Sequence, residues 1–291
     1  MERLFLGVLQ GVLSGILLGG VYGLIAIGLA MVVGVMRIVN FAHADFVMIA
    51  MYITFFVVTV GGLDPYLAVL VALPALFLLG LVLERGILRF SYRQFEANQL
   101  VLTAAISLLL QNLALLLFSP TARSAVTTYD LVPLGPVFVN KAQVIGFAVA
   151  LLTTAGLTLL LRLTEVGRAL RATVGDPDMA AMLGVNVARI RTFAFGLSAA
   201  LAAVAGVVLA TYYPMAPTVG VNFLIVAFVA MVMGGMTSIG GAFAASLVVG
   251  VAQQVTATLG DARIQNLTVF VIFILLLVLR PQGLFTRLGR A

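Results

Sequence analysis

The chain has 291 residues, of which 63% are hydrophobic and 9% charged, with a net charge of +6 and no cysteine. A soluble domain of this length needs far more surface charge, so the composition fits a lipid bilayer as solvent. The lack of cysteine excludes disulfides and thiolate metal sites, and the basic residues, gathered at segment ends, read as membrane-orientation signals and not as a nucleic-acid footprint.

Apolar runs follow one another at Leu4–Met36, Phe41–Val60, Tyr66–Leu83, Gln99–Phe118, Ala142–Leu161, Thr192–Tyr213, Asn222–Met236, Gly241–Leu259 and Ile264–Leu279. The first run is too long for one untilted span and carries Gly19-Gly20 near its middle, so it is split into two helices. It is not a signal peptide, because it continues to Met36 without a small-residue cleavage site. The result is an all-α polytopic membrane protein with about 8–10 transmembrane helices. From Thr192 to Gly260 there is no Asp, Glu, Lys, Arg or His.

Arginine placement sets the orientation. With ten crossings, Arg3, Arg37, the loop with Arg85, Arg89 and Arg93, the loop with Arg162, Arg168, Arg171, Arg189 and Arg191, and the tail with Arg280, Arg287 and Arg290 share one side. Only Arg123, Lys141 and Arg263 face the other. Both termini are then cytoplasmic; if Leu4–Met36 is one helix, only the N-terminus changes side. The exterior loop Ser119–Lys141 carries Pro120, Pro133 and Pro136 and is expected to be partly ordered, as a partner surface or a lid.

The segment Arg37-Ile38-Val39-Asn40-Phe41-Ala42-His43-Ala44-Asp45 is the one charged cluster flanked by apolar sequence on both sides. Burying charge in hydrocarbon is costly, so Arg37 is expected to anchor at the cytoplasmic interface. His43 and Asp45 are expected in the first turns of the next helix, near its positive end. Three roles are open to the cluster, Asn40 included: a gate or inter-subunit contact, a proton relay, or interfacial capping.

The loop 162–191 holds a complete short helix. Asp176 is suited to the N-cap, Pro177 to the first helical position, Asp178 to the positive dipole end and Gly184 to a left-handed stop. About two turns are not stable alone. Met179, Met182 and Leu183 form an apolar face that must pack on its own bundle or plug into a groove on another protein.

The stretch from Gly234 and Gly235 through Thr237 and Ser238 to Ala242 is too rich in glycine to continue as a regular helix. It is either a hinge near a translocation path or a tight turn packed through small residues. A weak internal repeat relates Ala30–Met36 to Ala230–Met236, with Ala42 and Ala44 matching Ala242 and Ala244. Gly-interrupted segments at corresponding places in two halves point toward a transport site.

No catalytic constellation is present. A single His and scattered acids disfavour a metal cluster, and no P-loop motif exists. The chain therefore binds no cofactor of its own, and ATP, if it drives the process, is used by another polypeptide.

Several segments together resemble the permease subunits of high-affinity branched-chain amino-acid ABC importers. Gly20-Val21-Tyr22-Gly23-Leu24-Ile25-Ala26-Ile27-Gly28 through Arg37–His43 is similar to that family's N-terminal signature. Gly167-Arg168-Ala169-Leu170-Arg171-Ala172 and Ala180–Asn186 resemble its cytoplasmic coupling loop. Phe228–Gly241 resembles its Gly-Gly-x-x-Ser-Ile block, and Arg280-Pro281-Gln282-Gly283-Leu284-Phe285 its C-terminal end. The chain departs from the pattern at Gly240, where relatives commonly carry Pro, and at Ala44-Asp45, where they often carry Gly.

The resemblance implies a single integral-membrane permease domain over 1–291 in the inner membrane, with 162–191 as its cytoplasmic coupling loop. It implies a second permease subunit, two ATP-binding-cassette ATPases and an external solute-binding protein. Asp176, Pro177, Asp178, Met179, Met182, Leu183 and Gly184 would form the ATPase-docking helix. Arg37, Asn40, His43, Asp45, Gly234, Gly235, Thr237 and Ser238 are the path or gate candidates. The alternatives are a secondary transporter coupled to protons or sodium through His43 and Asp45, and a passive channel. Neither needs a projecting capped helix. The solute is left open, and recognition is expected to lie mainly in the external binding protein.

Overall fold

The computed structural model describes residues 2–92, 96–125, 131–135, 137–260, 264–280 and 283. Arg93, Pro136, Arg263, Arg287 and Arg290, and most of the C-terminal block after Arg280, lie outside the described residues. The helices are α1 (Glu2–Met36), α2 (His43–Thr59), α3 (Val69–Gly86), α4 (Glu96–Phe118), α5 (Lys141–Leu163), α6 (Glu165–Gly175), α7 (Pro177–Met182), α8 (Val187–Leu209), α9 (Val219–Gly234), α10 (Ile239–Leu259) and α11 (Gln265–Leu279). Among the described residues, six are long and apolar enough to cross a membrane, and α2, α9 and α11 are shorter apolar helices.

Leu4–Met36 is one unbroken helix, which corrects the division at Gly19-Gly20. The reason is packing. Gly7, Gly11, Gly15, Gly19 and Gly23 recur every fourth residue and form one stripe against α10. A Cβ at Gly11 would lie 2.8 Å from Val255 Cα, and one at Gly19 would lie 2.8 Å from Leu247 Cα. At Gly15 it would collide with the backbone of Val251. Gly250 returns the contact, since its Cβ would reach 2.7 Å from Gly19 Cα. These glycines admit a second backbone and do not bend the first.

One helix also changes the side of the N-terminus. The early part of α1 lies beside the hairpin of β1 (Leu131–Leu134) and β2 (Val137–Asn140), where the Gln10 side chain accepts from Phe138 N at 3.0 Å and donates to Phe138 O at 2.6 Å. Its far end meets α6, with Gly34 against Val174. The start of α1 is thus opposite the arginine-rich loop, and the expectation that the N-terminus shares that loop's side does not hold.

α1 and α8 are the buried centre. α3, α4 and α5 turn apolar side chains outward, among them Leu70, Leu116 and Leu152, as lipid-facing helices do. The exterior loop is ordered where described. Arg123 and Met215 exchange backbone hydrogen bonds at 2.9 and 2.8 Å, and the Arg123 guanidinium lies over the Phe55 ring.

The two repeat segments take the same role. Ala30–Met36 closes α1, and Ala230–Gly234 closes α9. Left-handed backbone follows each, at Arg37 (φ 57°) and Gly235 (φ 98°), and another helix then begins.

Candidate functional site

Residues 37–42 have no helical structure, and α2 begins at His43 beside Ile25 and Gly28 of α1. Ile25 stands about three turns, or 16 Å, before the end of α1. His43 and Asp45 therefore lie deep in the bundle and not at the cytoplasmic interface where the sequence places them. Arg37, left exposed where α1 ends, is the cluster's only member free of the interior apart from Phe41 and the half-buried Val39.

Non-helical backbone at this depth persists only where protein or water satisfies it. Thr103 Oγ1 donates to Val39 O at 3.3 Å. Ala42 N donates to Asn40 Oδ1 at 3.1 Å, and His43 N to Asn40 O at 3.2 Å. Thr103 belongs to a polar stripe on α4 made of Gln99, Thr103, Ser107 and Gln111. Gln99 donates to Ser91 O, and Gln111 Nε2 donates to Asp45 Oδ1 at 3.0 Å. The sequence reading missed this stripe. Its signal is visible, however: four polar side chains at every fourth position of a largely apolar helix share one face.

His43 is fully buried and occupied at both ring nitrogens. Nε2 lies 3.0 Å from Ile25 O, and Nδ1 lies 3.1 Å from Ser198 Oγ. Asp45 is 1% exposed; Ser107 and Gln111 of α4 lie beside its carboxylate, and its Oδ2 makes no hydrogen bond; the same holds for Nδ2 of Asn40, also 1% exposed. Next to this junction Val39 and Phe41 join Leu224, Ile225, Phe228 and Phe273 around an apolar cavity of about 230 Å³.

The segment 162–191 contains two helices where one was expected. α6 was not anticipated; Thr164 Oγ1 caps it by accepting from Gly167 N at 3.0 Å. In α7, Asp176 Oδ1 accepts from Asp178 N at 2.9 Å and from Met179 N at 3.0 Å. Gly184 closes the turn at φ 87°. Ala180 faces inward, whereas Met182 and Leu183 are 82% and 79% exposed and Met179 is 57% exposed.

Between Gly234 and Ala242 the chain makes a tight turn. A Cβ at Gly234 would collide with Ala242 N, so two backbones meet there. Ser238 Oγ caps α10 by accepting from Gly241 N at 3.1 Å. Gly235 is buried and Thr237 exposed. Gly240 has open space around it in the first turn of α10. Thr237 lines a cavity of about 390 Å³ with Gly34 of α1 and Leu170, Arg171 and Val174 of α6. The helix leading into α7 and the glycine turn thus share one hollow.

A second cluster lies where α3 and α8 meet the cytoplasmic loops. Glu84 is buried, accepting from Tyr92 Oη at 2.8 Å and from Thr192 Oγ1 at 2.5 Å. Arg191 stacks over the Tyr92 ring at 5.1 Å. Burial, and then Glu84, push the Tyr92 phenol well above its ordinary range. Glu84 links the start of α8 to α3 directly after the segment that holds α6 and α7. It escaped the sequence reading because it appears there as one more acid at a helix end.

Comparison with known proteins agrees with this architecture. Residues 11–279 match the family described as branched-chain amino acid transport system, permease component. The chain is 35% identical to the high-affinity branched-chain amino acid transport system permease protein BraD of Pseudomonas aeruginosa, over 96% of each chain. It is 30% identical to the corresponding permease protein LivH of Escherichia coli K12, over 99% of this chain and 98% of that one. Among solved structures it resembles PsaBC from Streptococcus pneumoniae in complex with Fab, with a TM-score of 0.50 and 14% identity over 92% of this chain and 91% of that chain. That likeness concerns the fold alone.

Proposed function

The chain belongs to the family of permease components of branched-chain amino acid transport systems, and from that premise we propose that it is the membrane-spanning subunit of an ATP-driven importer of branched-chain or related amino acids. It works as one permease domain in the inner membrane, beside a second permease subunit, two ATP-binding-cassette ATPases and an external solute-binding protein. The chain itself holds no nucleotide, and the ATPases use the ATP.

The observation that carries this reading is α7. A helix of six residues, capped at both ends, leaves Met182 and Leu183 in water on the arginine-rich face. Two exposed apolar side chains on a rigid turn are favourable only if a partner groove covers them. Asp176, Pro177, Asp178 and Gly184 shape the turn, and Met179, Met182 and Leu183 insert. Arg37, Asn40, Asp45, Gly234, Gly235, Thr237 and Ser238 stand along the path or its gate, and His43 positions α2 beside it.

Reconstitution tests the reading. The chain alone in liposomes is expected to be inert, and the full complex with external binding protein and ATP is expected to take up leucine. Uptake by the chain alone under a proton or sodium gradient would replace this reading with secondary transport. Gradient-independent leakage of leucine through the chain alone would replace it with a channel.

A further inference from the structure

The two orphaned atoms beside the start of α2 are of opposite kind. Asn40 Nδ2 is an N–H donor, and Asp45 Oδ2 is an acceptor. Each belongs to a side chain whose other polar atom is already engaged, Asn40 Oδ1 with Ala42 N and Asp45 Oδ1 with Gln111 Nε2. Among the described residues the one ion pair is Arg168 with Glu165, far from this place in the chain, so Asp45 has no cationic partner. A buried carboxylate inside the membrane calls for a counter-charge or a proton.

The same junction offers apolar room. Gly220 of α9 abuts Asp45, where a Cβ would stand 3.0 Å from Oδ1. One turn along α9, Leu224 lines the cavity of about 230 Å³ that Val39 and Phe41 share. An unpartnered donor and an unpartnered acceptor thus lie beside an apolar hollow enclosed by Val39, Phe41, α9 and α11, next to a helix that starts inside the bundle with its positive dipole end.

We propose that this junction is an intramembrane binding site for a zwitterionic aliphatic amino acid. Its ammonium group donates to Asp45 Oδ2, its carboxylate accepts from Asn40 Nδ2, and its side chain occupies the hollow beside Phe41, Leu224 and Phe228. The proposal deepens the importer reading and rests on it for the substrate class. Both orphaned atoms are closed off from solvent, so a shift of α4 or α9 admits the amino acid.

The test is equilibrium binding of radiolabelled leucine to the purified full complex, without nucleotide and without external binding protein. Wild-type complex is expected to bind saturably at millimolar leucine or below. Asp45→Asn and Asn40→Ala are each expected to weaken binding about tenfold or more, as loss of a hydrogen bond to a charged group does. The analogues separate the two ends. 3-Methylbutylamine is expected to compete on wild type and not on Asp45→Asn, and 4-methylpentanoate on wild type and not on Asn40→Ala. Asp45→Glu keeps the charge and is expected to recover part of the affinity, which distinguishes lost recognition from misfolding. Absence of saturable binding by wild type, or leucine affinity unchanged in both variants, overturns the site. ATP-driven uptake assayed in parallel keeps the two readings apart: uptake without the binding pattern removes the site and leaves the importer, and the binding pattern without uptake does the reverse.

Discussion

His43 Nε2 lies 3.0 Å from the backbone oxygen of Ile25, and that contact determines what the imidazole can do. A carbonyl oxygen only accepts, so in the neutral ring Nε2 carries the proton and Nδ1 is left to accept from Ser198 Oγ at 3.1 Å. The Ser198 hydroxyl also lies 2.9 Å from Gly28 O, and its single proton serves one of the two at a time. Three helices, α1, α2 and α8, are pinned through one ring whose two nitrogens both face partners in the interior.

Removing the pin should therefore cost stability and not coupling. His43→Ala leaves Ser198 and Ile25 facing a void and is expected to destabilise the purified chain by about 1–3 kcal/mol. His43→Gln keeps hydrogen-bonding capacity without titrating. In proteoliposomes with the full complex it is expected to retain ATP-driven uptake, and a proton gradient alone is expected to drive none. Gradient-driven uptake by wild type that His43→Gln abolishes would contradict the pin.

The seam between α1 and α10 predicts a graded series. Gly15→Val drives a branched side chain into the Val251 backbone and is expected to cost about 1–3 kcal/mol or more, seen as lost expression or early thermal unfolding. Gly7→Ala meets only Leu259 Cδ2 at 3.4 Å, an ordinary contact, and should be silent. Equal tolerance at the two positions would refute the packing account.

The membrane class, the family and the short capped helix were legible in the sequence, because each depends on local chemistry: long apolar runs, a Gly-rich block, and Asp-Pro at a helix start. The depth of His43 and Asp45 was not legible. Charge next to an apolar run suggests an interface, whereas Gln111 of α4 beside Asp45, and Ser198 of α8 and the Ile25 carbonyl of α1 beside His43, make the interior habitable for them. α1 was misdivided for a related reason. Gly19-Gly20 taken alone suggests a break, whereas the whole stripe from Gly7 to Gly23 indicates a partner helix. Glu84 is hidden in the same way, since Thr192 lies 108 residues away along the chain.

Docking through α7 is tested by replacing Met182 and Leu183 together with Asp. Co-purification of the ATPase is expected to disappear while the monodispersity and thermal unfolding of the chain stay unchanged. Gly184→Val places a β-branched residue at φ 87° and is expected to weaken association as well, through the shape of the turn. Normal ATPase recovery with the folded double variant would remove α7 from the interface.

The Glu84 cluster predicts a dependence on alkaline pH. The Tyr92 phenol is held above its ordinary value of 10.0, so the native state keeps this proton where the unfolded chain loses it. Its contribution to stability is complete below pH 10 and declines as pH rises beyond that value. Thermal unfolding of Tyr92→Phe should be flatter than that of wild type across this alkaline range. Parallel profiles would show that Tyr92 does not titrate differently on unfolding.

At the glycine turn, accessibility is the measurement. Thr237→Cys lines the hollow against α6 and is expected to react with a small water-soluble thiol reagent in at least one of the resting and ATP-trapped states of the complex. Ser238→Cys, half-buried at the α10 cap, is expected to react more slowly. Complete protection of both in both states would mark the turn as buried packing with no water-lined face.

The late arrival of its partners gives α2 a place in the order of assembly. A helix of 17 residues with His and Asp in its first turn is a poor candidate for independent insertion, and the side chains that partner His43 and Asp45 lie on α8 and α4. Ser198 lies 155 residues after His43, so more than half of the chain must leave the ribosome before the imidazole meets its hydroxyl. Until then the imidazole lacks its side-chain partner, and retention of α2 in the nascent protein is expected to improve once α8 has arrived.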